Sequence, residues 1–423
     1  MKHIILLCDG MADHKQPQLE NLTPMQKAKK PYMDKLAETA EIGLVKTIPD
    51  GMPPGSDIGN LSILGCDPKS NYSGRSPFEA ANIGVDLSSD DVAMRCNLVT
   101  LSEDATLEDC TMLDYCADDI STKEARLIIE TLQENLGNEQ LNFYCGTSYR
   151  HCLVYKTNTD DFGGLVPPHD ILDENIKQHL PKTSFSKNSE KLRELTDKSR
   201  EILKNHPVNL KRIKDGKRPA NAIWLWGEGR KVPLIPFEEK YKIKGAMISA
   251  VDLLKGIAVL SGMKNIHVDG ATGYIDTNFE GKANAALSAL KSGIDFVYIH
   301  IEAPDECGHR GEFGNKVRAI EYIDKRVLKL LIEGLKDEDF KILILSDHAT
   351  PLELRTHTAE PVPFLLYESV NSIYVPSSIE ERTRENVHLS LNDDSKFDEN
   401  IAAKTKIFYN DACILIEKLV NKL

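Results

Sequence analysis

Apolar residues fall along this chain in two rhythms. Residues 4–8, 296–301, 342–345 and 362–366 are short, nearly continuous apolar runs, the pattern of strands buried on both faces. Residues 265–268 read as a further short strand. Between these runs the apolar positions take helical spacing. Pro31 sits where a helix begins, followed by Met33, Leu36, Ala37 and Ala40, and residues 247–260, 283–290, 317–335 and 412–419 repeat the pattern. Strands separated by helices predict an α/β fold with a mostly parallel sheet sandwiched by helices.

The middle of the chain breaks this alternation. It carries short strand-like pieces at 97–101, 141–145 and 152–155, and a helix opened by the capping box Ser121-x-x-Glu124. Gly163-Gly164 and Pro167-Pro168 mark a loop, and a polar, lysine-rich run follows from Lys182 to Lys217. We therefore expect a discontinuous sheet domain over residues 1–85 and 235–423, with a smaller α+β domain inserted at 86–234.

Composition narrows the function classes. Among 423 residues, 52 Lys and Arg stand against 65 Asp and Glu, a formal net charge of −13. Such a balance argues against general nucleic-acid binding, which wants a basic surface. No run approaches the roughly 20 apolar residues of a membrane span, and the first apolar stretch is closed at once by Asp9, unlike a signal peptide. The nine cysteines are scattered, with no Cys-x-x-Cys pair, as expected for reduced thiols in the cytoplasm. The oligomeric state is left open.

Three apolar strands run directly into candidate ligands. Residues 4–8 lead to Asp9, residues 296–301 to Glu302-Ala-Pro-Asp305-Glu-Cys-Gly-His309, and residues 342–345 to Ser346-Asp347-His348. In an open α/β sheet, ligands collect at the carboxyl ends of the strands. His357 adds a third imidazole just before another strand. Gly308 argues against a helix through Asp305 and His309. Mixed imidazole and carboxylate suits Mn, Zn, Fe or Co, with Mg where carboxylate dominates.

The segment Met52-Pro-Pro-Gly-Ser56-Asp57-Ile-Gly-Asn60-Leu makes a rigid turn into a helical pattern of Ile58, Leu61 and Leu64. Ser56 at the N-cap would contribute about 1 kcal/mol as a cap. Alternatively, helix-start amides hold a phosphoryl group while Ser56 attacks it, its alkoxide stabilised by a cation.

Taken together, these residues resemble the cofactor-independent phosphoglycerate mutases, archaeal-type branch, of the alkaline phosphatase superfamily. Nearly the whole chain takes part. The ordered blocks are Cys8-Asp-Gly-Met-Ala-Asp13, Pro54-Gly-Ser-Asp-Ile-Gly-Asn-Leu-Ser-Ile-Leu-Gly65, Gly74-Arg-Ser-Pro-Phe-Glu-Ala-Ala81, Arg95-Cys-Asn-Leu-Val-Thr100, Trp224-Leu-Trp-Gly-Glu-Gly-Arg230, Pro304-Asp-Glu-Cys-Gly-His309 and Asp347-His-Ala-Thr-Pro351. The resemblance implies an alkaline-phosphatase-like fold and two divalent metal ions, Mn, Co or Mg, with Zn as a further candidate. One ion would be held by Asp9, Ser56, Asp347 and His348, the other by Asp305, His309 and His357. It implies transfer of phosphate between the 3- and 2-hydroxyls of glycerate through a phosphoserine on Ser56. The inserted domain would close over the crevice to exclude water.

A small phosphorylated metabolite also needs cationic partners, and arginine's planar fork supplies them. The candidates are Arg95, Arg150 and Arg230, with His151 beside Arg150 as a proton relay and Arg75 second in rank. Ala349 and the sequence Arg355-Thr-His-Thr358 depart from the comparison group, which often has Ser or Thr, and Lys-Asp-His-Ser, at these places. Two further readings of the same scaffold therefore stay open, a homoserine kinase-like phosphotransferase and a metal-dependent phosphatase. There is no Gly-x4-Gly-Lys-Ser/Thr loop for an ordinary nucleotide kinase.

Overall fold

A computed structural model describes residues 1–369 and 396–421. The chain divides into two compact units, Met1–Tyr72 with Leu234–Leu423, and Ser73–Pro233.

The first unit is built on a sheet of eight strands. In spatial order these are Phe408–Tyr409, Glu41–Val45, Val362–Glu368, Phe340–Leu345, Lys2–Cys8, Phe296–Ile301, Gly245–Ile248 and Lys264–Asn265. Only Val362–Glu368 runs antiparallel to both of its neighbours, and every other pair is parallel. Ile4, Leu6 and Cys8 share one apolar cluster with Met33 of helix Pro31–Ala37, Phe279 and Ala283 of helix Phe279–Lys291, and Ile320 and Leu331 further on. Helices Ser56–Ile63, Asp252–Leu260 and Cys413–Val420 have apolar residues outside that cluster; the first packs against the other two, which pack against the strands. This is the helix-covered, mostly parallel sheet that the alternation predicts.

Several elements differ in detail from expectation. Met247 belongs to strand Gly245–Ile248, and the helix after it starts only at Asp252. The run at 265–268 contributes just Lys264–Asn265 to the sheet. The long amphipathic helix is interrupted by a π-helical stretch, Ile323–Leu328, whose Asp324 accepts hydrogen bonds from the Tyr32 and Met33 amides at 3.2 and 2.7 Å. Strand Glu41–Val45 carried no signal that we read.

Ala303–His309 is a helix, against expectation. Pro304 suits its first turn, where no amide donor is needed. Gly308 is there for space rather than as a breaker, since a Cβ would lie 2.6 Å from the Thr350 carbonyl oxygen.

The second unit is an antiparallel sheet with helices on it. Asp91–Leu101 is central, pairing with Arg150–Lys156, Ala222–Arg230 and Met112–Asp114, while Leu141–Thr147 lies outside Arg150–Lys156. The Ser121 capping box opens helix Thr122–Leu136 as read, and the lysine-rich run folds as helices Lys187–Leu203 and Pro207–Lys214. Helix Ser76–Asn82 falls in this unit, whereas the expected boundary at residue 85 put it in the other. The cause is burial: Ala80 packs with Ala93, Cys152 and Val154. Among the described residues, no helix is long and apolar enough to cross a membrane.

The close approach at Gly308 is testable. Gly308→Ala should cost about 1–3 kcal/mol, because the new methyl must displace backbone. Gly314→Ala, whose Cβ would meet nothing within 4 Å, should be neutral or stabilising by up to about 1 kcal/mol. Urea unfolding of the two variants against the parent protein measures both.

Candidate active site

Three adjacent parallel strands end side by side in the first unit, with Cys8 level with Ile301 and Leu7 level with Leu345. The residues that follow, Asp9, Glu302 and the Ser346-Asp347-His348 turn, are therefore neighbours. Gly10 makes the crowding possible. It has a φ of +59°, and a Cβ there would lie 2.7 Å from Asp305 Oδ1 and 2.6 Å from Thr350 Oγ1. Gly59 does the same for the Ser56 helix, where a Cβ would meet the Asp347 carbonyl oxygen at 2.5 Å.

All seven expected ligands meet here, in two groups. The first is Asp305, His309 and His357. His309 Nδ1 lies 3.0 Å from the Arg355 carbonyl. A carbonyl only accepts, so Nδ1 carries the proton and a neutral His309 presents the lone pair of Nε2. That Nε2 lies 2.9 Å from His357 Nε2 and 3.3 Å from Asp305 Oδ2.

The second group is Asp9, Asp347 and His348 with Ser56. His348 Nε2 lies 3.1 Å from Ser56 Oγ, 3.4 Å from Asp9 Oδ1 and 3.5 Å from Asp347 Oδ2. Thr350 sets its tautomer. The Thr350 hydroxyl donates to Asp305 Oδ1 at 2.5 Å and lies 3.2 Å from His348 Nδ1, so it accepts the Nδ1 proton and leaves Nε2 as a lone pair. The His348 and His357 rings stack at 4.0 Å and join the groups.

Ser56 is the first residue of its helix rather than the cap. Gly55 occupies the N-cap and offers no side-chain cap, while Asp57 Oδ1 accepts the Ile58 amide at 2.9 Å. The hydroxyl is thus directed at His348, and the capping role is absent.

Electrostatics favours a cation in both groups. Burial, then the Asp347 and Asp305 charges, push the Asp9 carboxyl well above its usual range. Asp9 Oδ1 is buried with no hydrogen-bond partner. Burial raises Asp305 too, but His309, His357 and His348 outweigh it and hold its carboxyl well below the usual range. His309 moves the other way: burial opposes its charge, yet Asp305 lifts it to about 9. Burial lowers His348, keeping it neutral as a ligand must be. An orphaned buried carboxylate oxygen and converging imidazole lone pairs fit a divalent ion.

Three further residues, none of them among the expected set, complete the site. His300 interrupts an apolar strand, and its Nε2 lies 2.9 Å from Asp9 Oδ2. Asn60 is fully buried on the Ser56 helix and donates to Asp347 Oδ2 at 2.8 Å and to the Ser56 carbonyl at 2.7 Å. Thr350 was visible only as part of a motif.

The remaining expected residues lie in the second unit. Arg95 pairs with Glu79 at 2.9 Å and stacks over Trp226, while Arg75 donates to the other Glu79 oxygen at 2.8 Å. Burial would raise Glu79, but Arg95, Arg75 and Arg150 together lower it, so the three arginines share one neighbourhood. Arg230 is placed differently. Its guanidinium donates to the Ser89 and Thr157 carbonyls at 3.1 and 3.0 Å, bonds that brace a loop. His151 is buried, accepts the Gly146 amide at 3.1 Å, and burial pushes it down to about 3.

Comparison with known proteins decides the family. A family profile described as 2,3-bisphosphoglycerate-independent phosphoglycerate mutase matches residues 37–209. The mutase of that name from Methanosarcina barkeri is 50% identical over 371 residues, covering 87% of this chain and 91% of the relative. The chain belongs to this family. A second relative, mutase 2 of Methanothermobacter thermautotrophicus, is 47% identical over 386 residues, 91% of this chain and 93% of its own. Among solved structures, a Pyrococcus horikoshii protein aligns with a TM-score of 0.76 at 29% identity over 100% of this chain and 99% of its own. The cofactor-independent phosphoglycerate mutase of Thermoplasma acidophilum aligns with a TM-score of 0.60 at 27% identity over 99% of both chains.

Proton competition tests the first group. A cation on His309 Nε2 must displace the proton held there below about pH 9. Titrating Mn²⁺ into metal-free protein at pH 7.5 should release protons, seen as a binding heat that varies with the ionisation heat of the buffer. Affinity should climb with pH up to about 9 and fall on acidification. A binding heat that ignores the buffer would contradict the assignment.

Proposed function

We propose that the protein interconverts 3-phosphoglycerate and 2-phosphoglycerate, with Ser56 as nucleophile and a divalent cation in each ligand group. The observation that carries this is Ser56 Oγ at 3.1 Å from His348 Nε2, at the edge of a buried carboxylate and imidazole cluster. Asp9, Asp347, His348 and Ser56 would hold one ion and Asp305, His309 and His357 the other. Mn, Co or Mg suits these donors best, with Zn as an alternative. When bound, such ions neutralise charge on the transferring phosphoryl group and favour the serine alkoxide.

The chain's own residues do the rest. Ser56 Oγ gives up its proton and forms a bond to phosphorus as the bond from phosphorus to the 3-oxygen breaks, and that oxygen takes up a proton. Glycerate then reorients, its 2-hydroxyl loses a proton and attacks the phosphoserine, and Ser56 is regenerated. The start of helix Ser56–Ile63 favours the phosphate's negative charge. Asn60, donating to both Asp347 and the Ser56 carbonyl, keeps nucleophile and ligand in register.

For recognition of the substrate carboxylate and phosphate we assign Arg95 and Arg150, with Arg75 in the place first expected for Arg230. Glu79 pre-orients the forks of Arg75 and Arg95. For Arg230 and His151 we propose a bracing and packing role. Both mutase relatives carry the mutase name rather than that of a kinase or phosphatase, which supports phosphoglycerate as substrate.

Conversion of 3-phosphoglycerate, followed by phosphorus NMR, tests the reading. Ser56→Ala should fold with less than about 1 kcal/mol lost, since no cap is removed. Its turnover should fall by about 10⁴-fold or more, as for loss of other nucleophiles. Substantial turnover by that variant would falsify the phosphoserine route. Arg75→Ala should cost about 2–5 kcal/mol in kcat/KM if its fork meets the substrate. Arg230→Ala should show its main effect in thermal stability.

A further inference from the structure

We propose that His300, backed by Ser249, is a positioning residue that fixes which oxygen of Asp9 faces the cation. This rests on the cation reading above, and it concerns two residues that the ligand set does not include.

His300 is fully buried in strand Phe296–Ile301, level with Leu7 of the neighbouring strand. A buried imidazole among apolar residues needs partners for both nitrogens. Nε2 lies 2.9 Å from Asp9 Oδ2, and Nδ1 lies 3.2 Å from Ser249 Oγ. Ser249 is itself buried, and its Oγ accepts the Val251 amide at 3.0 Å.

These contacts give the chain a direction. An ionised, cation-facing Asp9 carboxylate only accepts, so Nε2 carries the ring proton and donates to Oδ2. Nδ1 is then a bare lone pair and accepts the Ser249 hydroxyl, whose oxygen takes the Val251 amide. Asp9 is left with one oxygen tied and one, Oδ1, buried without a partner and 3.4 Å from His348 Nε2. A donor behind a ligating carboxylate orients it and raises its charge density toward the metal.

The competing assignment makes His300 a ligand, since its ring lies near Asp9 and Asp347 closely enough for one ion. The hydrogen bonds separate the two assignments. In their neutral forms His309 and His348 each turn a protonated Nδ1 to an acceptor and a bare Nε2 to the cluster. His300 has the opposite tautomer, with no lone pair left on Nε2.

Equilibrium dialysis with Mn²⁺, joined to electron spin-echo measurement of nitrogen coupling, tests this. The parent protein should bind two ions per chain, and if it binds none the cation reading itself fails. His300→Leu should weaken one ion by about 10–100-fold and spare the other. His300→Gln, whose amide places a donor near Nε2, should recover most of that loss and keep the parent's nitrogen coupling. Ser249→Ala, which leaves the ring but frees its tautomer, should weaken the same ion by less. Parent-like affinity for both ions in His300→Leu overturns the proposal. Should that variant not fold, parent-like affinity in Ser249→Ala overturns it. Loss of one imidazole coupling in His300→Gln would make His300 a ligand and overturn it too.

Discussion

Three buried carboxylates, Asp9, Asp305 and Asp347, must share one small volume, and the local architecture answers to that constraint. Like charges in a medium of low polarisability repel strongly, so each oxygen needs a donor, a proton or a cation. The structure supplies donors to most. Asp347 receives Asn60 and the Gly10 amide, Asp305 receives Thr350 and faces two imidazoles, and Asp9 has His300. One oxygen of Asp9 stays without a partner. A cation would complete this arrangement, and burial and repulsion push Asp9 toward its protonated form in the cation's absence.

Packing at this density requires loops that come closer than side chains allow. Gly10, Gly59 and Gly308 stand where a Cβ would collide with backbone of the facing loop or helix. A second buried charge pair then locks the loops. Lys316 donates to Asp13 and to the Thr350 carbonyl, both at 2.7 Å, with no exposed surface on either charged side chain. Asp13 in turn accepts the Leu352 amide at 3.2 Å. The loop that follows the first strand is thus tied to the loop bearing Asp347 and His348. Behind it Glu399, raised to about 7 by burial, accepts the Asp13 amide at 3.3 Å and the Thr23 hydroxyl at 2.7 Å. Removing either partner of the Lys316 and Asp13 pair would leave a bare charge in the interior, a loss of several kcal/mol.

The second unit solves a different problem. Its arginines need to be held without being neutralised, and one glutamate between Arg75 and Arg95 does this, with Trp226 under the Arg95 plane. Arg95 stays cationic although burial draws it down to about 10.

The sequence by itself determined the parallel sheet and its helical cover, and it pointed to seven candidate ligands, Ser56 among them, whose side chains come together. Apolar runs and the polar residues that end them are local facts, and strand ends in such a sheet converge by topology. What tertiary structure decided was everything that depends on a facing surface. Gly308 reads locally as a helix breaker, yet it lies within a helix, and it is glycine because the Thr350 carbonyl leaves no room for a methyl. Ser56 reads locally as a cap, and only the arrival of His348 from far along the chain gives its hydroxyl another partner. Arg230 and Arg75 look alike in sequence. Their difference lies in whether carbonyls of a loop or a half-buried glutamate receive the guanidinium. His300 likewise signalled its burial through an apolar strand, but its partners Asp9 and Ser249 sit on the two strands beside its own or just beyond them, where no periodicity in one segment can point.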